Sequence, residues 1–512
     1  MSNRERMSGV DTAWLRMERP TNHMMVVGVL MLGERVDFRR LRKAIEQRFA
    51  AIPRFRQFPV LELAGGWWET DEAFDIDRHV LRVRLPGRAG PAELKRFTAR
   101  LASTPLPRSK PLWEFHLVEN YDGRSAVVTR IHHCYADGIA LMGVLLSLTD
   151  PSPNARRRPP PPHPAQHHAP GIWRALGPLS EVLSSAGWIS EAVLAKYFEL
   201  LQRPEQVIDY AKLARRVAGD VIELATMSYD SPTLYKGQPG VTKRVAWCEP
   251  LSLDEVKAVG RVLGCSVNDV LLSCVSGALG DDLARRGQDP AGLELRALVP
   301  VNLRRQTDDG SLGNWFGLVP LLLPLGIANP LARLYEIHQR MEALKQSYLA
   351  PLSLGLLAFA GMVPAIVQQE ILDFLANKAT AVMTNLPGPP QRLYLAGAPL
   401  EQLMFWVPQS GNIAMGVSIL SYAGGVQFGL VTDAALTPAP ERVVERFRPE
   451  FERLLMTVLM EPWDLRRDPK LVEREFKAGG KAHRVARRGR DIVAARPRPH
   501  PGHSGPSESR GK

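Results

Sequence analysis

The stretch RIHHCYADGIALMGVLL, residues 130–146, decides how this chain folds. Its first part continues the apolar pattern SAVVTRIHH at 125–133, which predicts a strand. Its last part belongs to GIALMGVLLSL at 138–148, which predicts an apolar helix. Gly138 permits the tight backbone turn into that helix. Two histidines and an aspartate therefore lie where a strand passes into a helix, and side chains there can reach a cavity at the edge of a sheet.

Neighbouring side chains on a strand point to opposite faces of the sheet. His132 and His133 therefore diverge and cannot both bind one atom, which disfavours a metal site. One histidine is the candidate reagent, and the other is predicted to be structural. A lone histidine at a strand end is more often an ordinary polar residue, but the full HHxxxDG spacing favours a functional role. Asp137 follows after one loop, close enough to hold the local geometry.

Several common catalytic motifs do not occur in the sequence. There is no GxSxG turn for a serine nucleophile, no GxxxxGK[ST] phosphate loop and no GxGxxG dinucleotide turn. A histidine without a nucleophile fits direct transfer, in which it takes a proton from an acceptor hydroxyl that attacks an activated acyl group. A thioester is a suitable donor because a thiolate leaves readily.

The 512 residues are more than one hydrophobic core usually fills, so two domains are expected. Strand and helix patterns alternate before residue 150 and again after residue 240, which predicts two α/β halves with mixed sheets. Between them lies a connector that is first proline-rich, with eight prolines in residues 151–170, and then helical. The predicted units are 1–150, which carries HHxxxDG, the connector 151–239, the second half 240–465 and a basic tail 477–512.

The net charge of +12 is concentrated at one end of the chain. Residues 477–512 contain ten Lys or Arg and two Asp or Glu, so they carry +8 and are predicted to be disordered. This tail either solubilises the protein or attaches it to an anionic surface, and a lipid surface is preferred to nucleic acid. Four cysteines without a CxxC pair, and a start without a signal-peptide core, predict a cytoplasmic protein.

Residues 346–369 contain no charged side chain. Their length is near that of a membrane span, but Pro351, Pro364 and several polar residues favour a buried or lipid-facing helix pair. Small residues within this apolar stretch, Gly355 and Ala360 among them, either allow close helix packing or leave room for an alkyl chain that runs toward His133.

Eight short motifs together resemble the bacterial wax ester synthase/diacylglycerol acyltransferases, within the superfamily of CoA-dependent acyltransferases that share HHxxxDG. The resemblance covers about residues 5–465. The motifs are SGVDTAWLRMERP (8–20), PLWEFHLVE (111–119), HHCYADG (132–138), VNDVLLSCVSGAL (267–279), PVNLR (300–304), LGNWFG (312–317), TNLPGPP (384–390) and SYAGGVQFGLVTD (421–433).

The resemblance implies two chloramphenicol-acetyltransferase-like halves with the active site in a channel between them. It implies a long-chain acyl-CoA as donor and diacylglycerol or a fatty alcohol as acceptor. His133 is then the general base of a catalytic motif that also includes His132, Asp137 and Gly138, and Asp137 is a structural residue whose expected partner is Arg304. No metal and no bound cofactor are expected, because CoA leaves as a product. The expected location is peripheral, on a membrane or lipid droplet, without nucleic acid.

Other motif residues have both a binding and a structural interpretation. Trp113 either contacts substrate or packs between the halves. Asn268 and Asp269 either contribute to the site or cap the helix that follows them. Asn385, before Pro-Gly-Pro, either donates to a developing oxyanion or belongs to a plain turn.

Two other functions compete with this one. The first is an acyltransferase of the same superfamily that acts on a polyketide or carrier-bound substrate, and the lack of a carrier-domain signature argues against it. The second is a non-catalytic protein that coats lipid or binds nucleic acid through the basic tail, which leaves HHCYADG unexplained.

Overall fold

The computed structural model describes residues 4–62, 65–153, 226–303, 312–345, 347–362 and 365–460. Most of the proline-rich and helical connector, the predicted partner Arg304 and the basic tail 477–512 lie outside these residues. The described chain forms a mixed α/β structure with two seven-stranded sheets and one small three-stranded sheet. The predicted fold of two α/β halves with mixed sheets is confirmed.

The first large sheet carries the HHxxxDG segment. At its centre, the strand of residues 25–32 is buried at every position and pairs antiparallel with the strand that ends at His132. In spatial order the strands are β5 (Val80–Val83), β6 (Trp113–Tyr121), β7 (Arg124–His132), β2 (Met25–Leu32), β15 (Ala398–Trp406), β14 (Tyr394–Leu395) and β8 (Thr149–Asp150). One pair, β5 with β6, is parallel, and the others are antiparallel.

The second large sheet is built from residues after 240. Its central strand, residues 381–387, runs parallel to both of its neighbours. In spatial order the strands are β10 (Leu251–Ser252), β17 (Gly425–Asp433), β16 (Met415–Tyr422), β13 (Ala381–Pro387), β11 (Glu294–Asn302) and β12 (Phe316–Pro324), and β9 (Lys243–Trp247) also pairs with β17. The small sheet consists of β1 (Arg4–Arg6), β4 (Gly65–Thr70) and β3 (Gln57–Glu62).

Helices cover these sheets, and several begin at a side chain that caps the first turn. Ser252, Ser266, Asp37 and Asp137 each accept a hydrogen bond from a backbone N–H of the first turn, as short polar side chains do at helix starts. The helices are α1 (Gly9–Arg16), α2 (Phe38–Ala44), α3 (Pro91–Ala102), α4 (Gly138–Ser147), α5 (Leu253–Leu263), α6 (Val267–Arg285), α7 (Pro330–Lys345), α8 (Leu349–Met362), α9 (Ala365–Ala376) and α10 (Glu441–Met460).

The two halves of the sequence are interlocked rather than side by side. Strands β14 and β15 come from the second half of the chain but complete the first sheet, where β15 pairs with β2. The close approach depends on Gly28, because a β-carbon there would overlap the ring of Phe405 on β15. The sheets therefore do not follow the sequence boundary between the halves, and both halves contribute to one sheet.

The uncharged segment 346–369 supplies helix α8 and the start of helix α9, so the predicted helix pair is confirmed. Helix α8 packs closely on α1, because a β-carbon at Gly361 would overlap the carbonyl of Gly9. Among the described residues no single helix has both the length and the apolar character needed to cross a membrane. The pair α5–α6, which is bent by 100°, meets both criteria only when its two helices are taken together.

Candidate active site between the two halves

The end of β7 places the two histidines in different surroundings. Strand β7 pairs with β2 as far as His132, which lies opposite Met25. The backbone N–H of His133 then donates to the carbonyl of Met24 at 2.7 Å, so the extended conformation continues one residue beyond the strand. His133 faces a cavity, whereas His132 is bonded within the protein, as the alternation of side chains on a strand requires.

His133 is 3% exposed and is held between aromatic rings. Its imidazole centroid lies 4.3 Å from the Trp14 ring with a 30° tilt, and 5.7 Å from the Phe316 ring in an edge-on arrangement. Burial lowers the pKa of His133 to about 4, although the nearby Asp137 carboxylate opposes the shift. The imidazole is therefore neutral at pH 7, which is the form that can accept a proton.

His132 has the bonding expected of a structural residue. Its Nδ1 accepts from the Cys134 backbone N–H at 3.1 Å, so Nε2 carries the hydrogen and donates to Glu18 Oε2 at 3.2 Å. Glu18 also accepts from the Met24 backbone N–H at 2.7 Å and pairs with His23. Burial alone would raise the pKa of Glu18, but the bonds from His132 and His23 hold it well below its usual range. This network ties the start of β2 to the end of β7.

Asp137 joins the two halves of the chain. Its Oδ1 accepts from the Ala140 backbone N–H at 2.9 Å and so caps helix α4. Its Oδ2 accepts from the Trp315 backbone N–H at 3.1 Å, and its own N–H donates to the Gly313 carbonyl at 3.2 Å. Gly313 adopts a φ of 114°, in the region that favours glycine. The predicted partner Arg304 lies outside the described residues, so that pairing stays a prediction.

A cavity of about 220 Å³ opens beside His133. Both halves contribute to its walls, and most of the lining is apolar. The apolar side chains are Trp14, Ile139, Leu298, Pro300, Phe316, Leu318, Val382, Leu386, Pro387, Val407 and Pro408. The polar side chains are His133, Asp137, Asn302, Thr384, Asn385 and Ser410, and Gly138 completes the lining. Such a site places one neutral imidazole at the wall of an apolar chamber between the halves.

The structure places the other predicted site residues in different surroundings, and not all of them line the cavity. Asn385 lines the cavity, and its Nδ2 donates to Asn268 Oδ1 at 2.6 Å. Asp269 caps helix α6 reciprocally with Ser266, which favours its structural interpretation. Trp113 lies within the first half rather than between the halves, because its Nε1 donates to the Phe55 carbonyl at 2.7 Å and its ring stacks on His79 at 4.2 Å.

Gly355 and Ala360 are buried in helix α8, and neither belongs to the described residues that line the cavity beside His133. Their proposed role in accommodating an alkyl chain stays a prediction.

The sequence patterns assigned no role at the site to three residues that contact His133, which are Trp14, Asn314 and Phe316. The same holds for Asp11, which is bonded to Asn314. All four come from SGVDTAWLRMERP and LGNWFG, two motifs that were noticed for their resemblance but not connected to His133. Only the fold shows that these two segments meet at the histidine.

One cluster of potential metal ligands occurs away from this cavity. Ligand atoms of Cys265, Asp269 and His338 lie within 4.8 Å of one another, and none of the three residues lines the cavity beside His133. Burial raises the pKa of the Cys265 thiol to about 12, and the Asp269 charge acts in the same direction. Asp269 Oδ2 is bonded to the Ser266 backbone N–H and to His338 Nδ1, each at 2.8 Å, so the cluster has a structural explanation without a metal.

Two family models match the chain. A model described as the wax ester synthase/diacylglycerol acyltransferase catalytic domain matches residues 7–271, and one described as the WS/DGAT C-terminal domain matches residues 312–455. The chain belongs to the wax ester synthase/diacylglycerol acyltransferase family. The family and the acyltransferase class predicted from the sequence are thereby confirmed.

Curated relatives and solved structures agree with this assignment. A probable diacylglycerol O-acyltransferase from Mycobacterium tuberculosis H37Rv is 28% identical over 441 residues, which cover 83% of this chain and 90% of the relative. A wax ester synthase/diacylglycerol acyltransferase from Marinobacter aquaeolei VT8 has a similar fold, with a TM-score of 0.61 and 21% identity over 87% of this chain and 98% of that one.

The fold is also shared with proteins outside the wax ester synthase family. The starter condensation domain of rhizomide synthetase aligns with a TM-score of 0.52 and 13% identity over 91% of this chain and 96% of that one. These likenesses support the predicted architecture of two α/β halves.

The environments of the two histidines predict different effects of their removal. We expect His133→Ala to lower the rate of acyl transfer by about 10²–10⁴, the usual contribution of a general base. His132→Ala should instead lower the thermal unfolding midpoint and leave measurable turnover, because it removes the bond to Glu18 but not the group that faces the cavity. Initial rates and melting curves of both variants check this. Near-normal turnover of His133→Ala would exclude His133 as the base.

We expect Asp137→Asn to reduce both turnover and thermal stability. The buried carboxylate accepts two backbone N–H groups, one in each half, and an asparagine offers only one acceptor oxygen for them. Asp37→Asn is the matched control, because Asp37 caps helix α2 at an exposed position and asparagine caps equally well. Loss of turnover with an unchanged melting curve would assign Asp137 to the chemistry rather than to the junction.

Proposed function

We propose that this protein transfers a long-chain fatty acyl group from acyl-CoA to the hydroxyl of diacylglycerol or of a long-chain fatty alcohol, with His133 as the general base. The observation that carries the proposal is the neutral, buried imidazole of His133 at the wall of an apolar cavity built by both halves. The names of the relatives, which include diacylglycerol O-acyltransferase and wax ester synthase, support this substrate class.

This one side chain can carry out both proton transfers of the reaction. The imidazole takes the proton of the acceptor hydroxyl as its oxygen bonds to the thioester carbon, and the C–S bond of that intermediate then breaks. The imidazolium returns the proton to the departing thiolate, so free CoA leaves and His133 is neutral again. Neither a metal nor a bound cofactor is needed in this scheme.

The apolar lining fits long alkyl substrates better than polar ones. Each buried methylene contributes about 0.8 kcal/mol, so an apolar wall favours binding of a fatty chain. The same wall keeps water from competing with the acceptor hydroxyl for the acyl group. Asn385, which lines the cavity and contacts Asn268, is a candidate donor to the developing oxyanion.

Acceptor profiling of the purified protein tests the proposal. With one long-chain acyl-CoA, we expect thiol release that depends on diacylglycerol or hexadecanol and matches the amount of triacylglycerol or wax ester formed. His133→Ala should release almost no thiol under the same conditions. Thiol release without ester product, or ester formation only with a carrier-bound or amine acceptor, would contradict the proposal and favour the condensation type of acyl transfer.

We further propose that the cavity opens toward a lipid surface, which delivers the acceptor. Large apolar side chains are exposed near the junction of the halves: Ile139 at 43%, Trp315 at 49% and Val301 at 37%. Ile139 lines the cavity. Val301 on β11 pairs with Gly317 on β12, and Trp315 lies two residues before Gly317, so Val301 and Trp315 are close on neighbouring segments. Exposed apolar groups that border a substrate cavity are typical of interaction sites. The +8 charge of residues 477–512 would add attraction to an anionic membrane or droplet.

Surface variants test this orientation. We expect Val301→Ser with Trp315→Ser to weaken sedimentation with anionic phospholipid vesicles and to slow transfer to vesicle-borne diacylglycerol, while transfer to a soluble short-chain alcohol is retained. Ile366→Ser with Val367→Ser is the matched control, because these exposed apolar residues lie on helix α9 and do not line the cavity. If only the control variant loses vesicle binding, the lipid-facing surface is helix α9 and the proposed orientation is wrong.

A further inference from the structure

Asn314 lies at the meeting point of three separate segments. It belongs to the short segment Gly313–Trp315, which runs alongside residues 136–137 and is bonded to them. Its Nδ2 donates to Asp11 Oδ1 of helix α1 at 2.8 Å and to the backbone carbonyl of His133 at 3.1 Å. The side chain is buried, so both hydrogen bonds are protected from water. One amide thus connects helix α1, the HHxxxDG motif and the second half of the chain.

Two polar atoms at this meeting point have no hydrogen-bond partner among the described residues. They are Asn314 Oδ1 and His133 Nδ1, and both are buried. Buried polar atoms of this kind are rare in native proteins because each costs about 1–3 kcal/mol. The two belong to residues that are already bonded through Asn314 Nδ2 and the His133 carbonyl. The Asn314 side chain is also among the groups that act on the imidazole of His133, so the two unsatisfied atoms belong to groups that interact.

The orientation of the amide follows from Asp11. The Oδ1 of Asp11 accepts from Asn314 Nδ2 at 2.8 Å, so the nitrogen of the amide faces Asp11. Burial raises the pKa of Asp11 to about 6, and the hydrogen bond from Asn314 opposes that shift because it favours the carboxylate. The amide oxygen is then fixed on the other side. Asp11 therefore decides which end of Asn314 is available to the histidine.

The electrostatics of His133 agree with an oxygen close to its ring. Burial lowers the pKa of His133, Asp137 raises it and His132 lowers it, and the peptide carbonyl of His133 and the side chain of Asn314 both raise it. Asn314 controls both of these oxygens, because it supplies one and donates a hydrogen bond to the other. Removal of Asn314 would alter the surroundings of the imidazole without touching the substrate cavity directly.

We infer that Asn314 is a positioning residue for His133: its Oδ1 accepts the Nδ1 hydrogen of the imidazole, and Asp11 holds the amide in the orientation that makes this possible. The inference rests on the proposed function for its catalytic meaning. A fixed Nδ1–H leaves the lone pair on Nε2, which is the nitrogen that must take the hydroxyl proton. Without Asn314 the two neutral tautomers of His133 compete, and only one of them can act as the base.

Asn22 offers a matched control for a merely structural role. It is also a buried asparagine that joins distant parts of the chain, since its Nδ2 donates to the carbonyls of Gly411 and Ile413 at 2.7 and 3.2 Å. Its Oδ1 accepts from Lys243 Nζ at 2.8 Å, so the side chain contacts neither His133 nor its cavity. Asn22→Ala thus removes a comparable bridge without changing the imidazole.

The experiment compares Asn314→Ala with Asn22→Ala in kinetics and in melting. We expect Asn314→Ala to lower kcat by about 10–100-fold with little change in KM for acyl-CoA, an effect as large as that of groups that orient metal-bound imidazoles. Asn22→Ala should lower the melting temperature and leave kcat close to the wild-type value. Equal effects of the two variants on kcat would reduce Asn314 to a structural bridge and overturn the inference.

The tautomer of His133 can be measured in the wild-type protein, so this second test requires neither a folded Asn314→Ala variant nor acyl transfer. In the ¹⁵N-histidine-labelled full chain at pH 7, the His133 resonances, assigned by their loss in His133→Gln, should show hydrogen on Nδ1. An Nε2–H tautomer in the wild-type protein would overturn the inference even if Asn314→Ala fails to fold. If the wild-type chain transfers no acyl group, the proposed function fails, but the tautomer result still decides the role of Asn314.

Discussion

The carboxylate of Asp137 is the point on which the site depends. One oxygen caps the helix that follows HHxxxDG, and the other accepts from the backbone of Trp315 in the second half. Because both donors are backbone groups, the bond fixes the path of two chain segments and not only two side chains. Together with the bonds of Asn314, this junction holds residues 312–318 against the HHxxxDG segment. The aspartate of the motif is thus explained by architecture before any chemistry is considered.

Burial shifts the pKa values of basic and acidic groups around the site in opposite directions. It lowers the pKa of His133 and raises that of Asp11, and in both cases the cost of removing charge from water is the main cause. Glu18 is buried as well, yet its pKa is held low because two histidines bond to it. One neighbouring histidine is thus kept neutral beside a cavity, while the other is tied to a carboxylate. The same dipeptide thus provides the imidazole that is proposed as the general base and a structural anchor.

Local sequence patterns predicted most of the elements, because periodicity and capping are local properties. The strand before His133, the helix that begins at Gly138 and the helix pair after residue 346 all follow from such patterns. Long-range pairing was not accessible in this way. Nothing in MFWVPQS shows that its strand inserts beside β2, and nothing in LGNWFG shows that Asn314 bonds to the backbone of His133. The sequence left Trp113 either in contact with substrate or packed between the halves, whereas its ring packs on His79 within the first half and does not line the cavity beside His133, because an aromatic core and an interface share the same composition.

The insertion of β15 beside β2 has a consequence for how the chain reaches its native state. Strand β2 is made early, but its partner on one side comes from residues 398–406. During synthesis the inner edge of a wholly apolar strand therefore lacks its native neighbour until almost four-fifths of the chain has been made. Unpaired apolar edges of this kind promote association between chains, and pairing over such sequence distances is slow. The first half of this protein cannot be expected to exist as an independent folding unit, and the nascent chain is a natural client for chaperones.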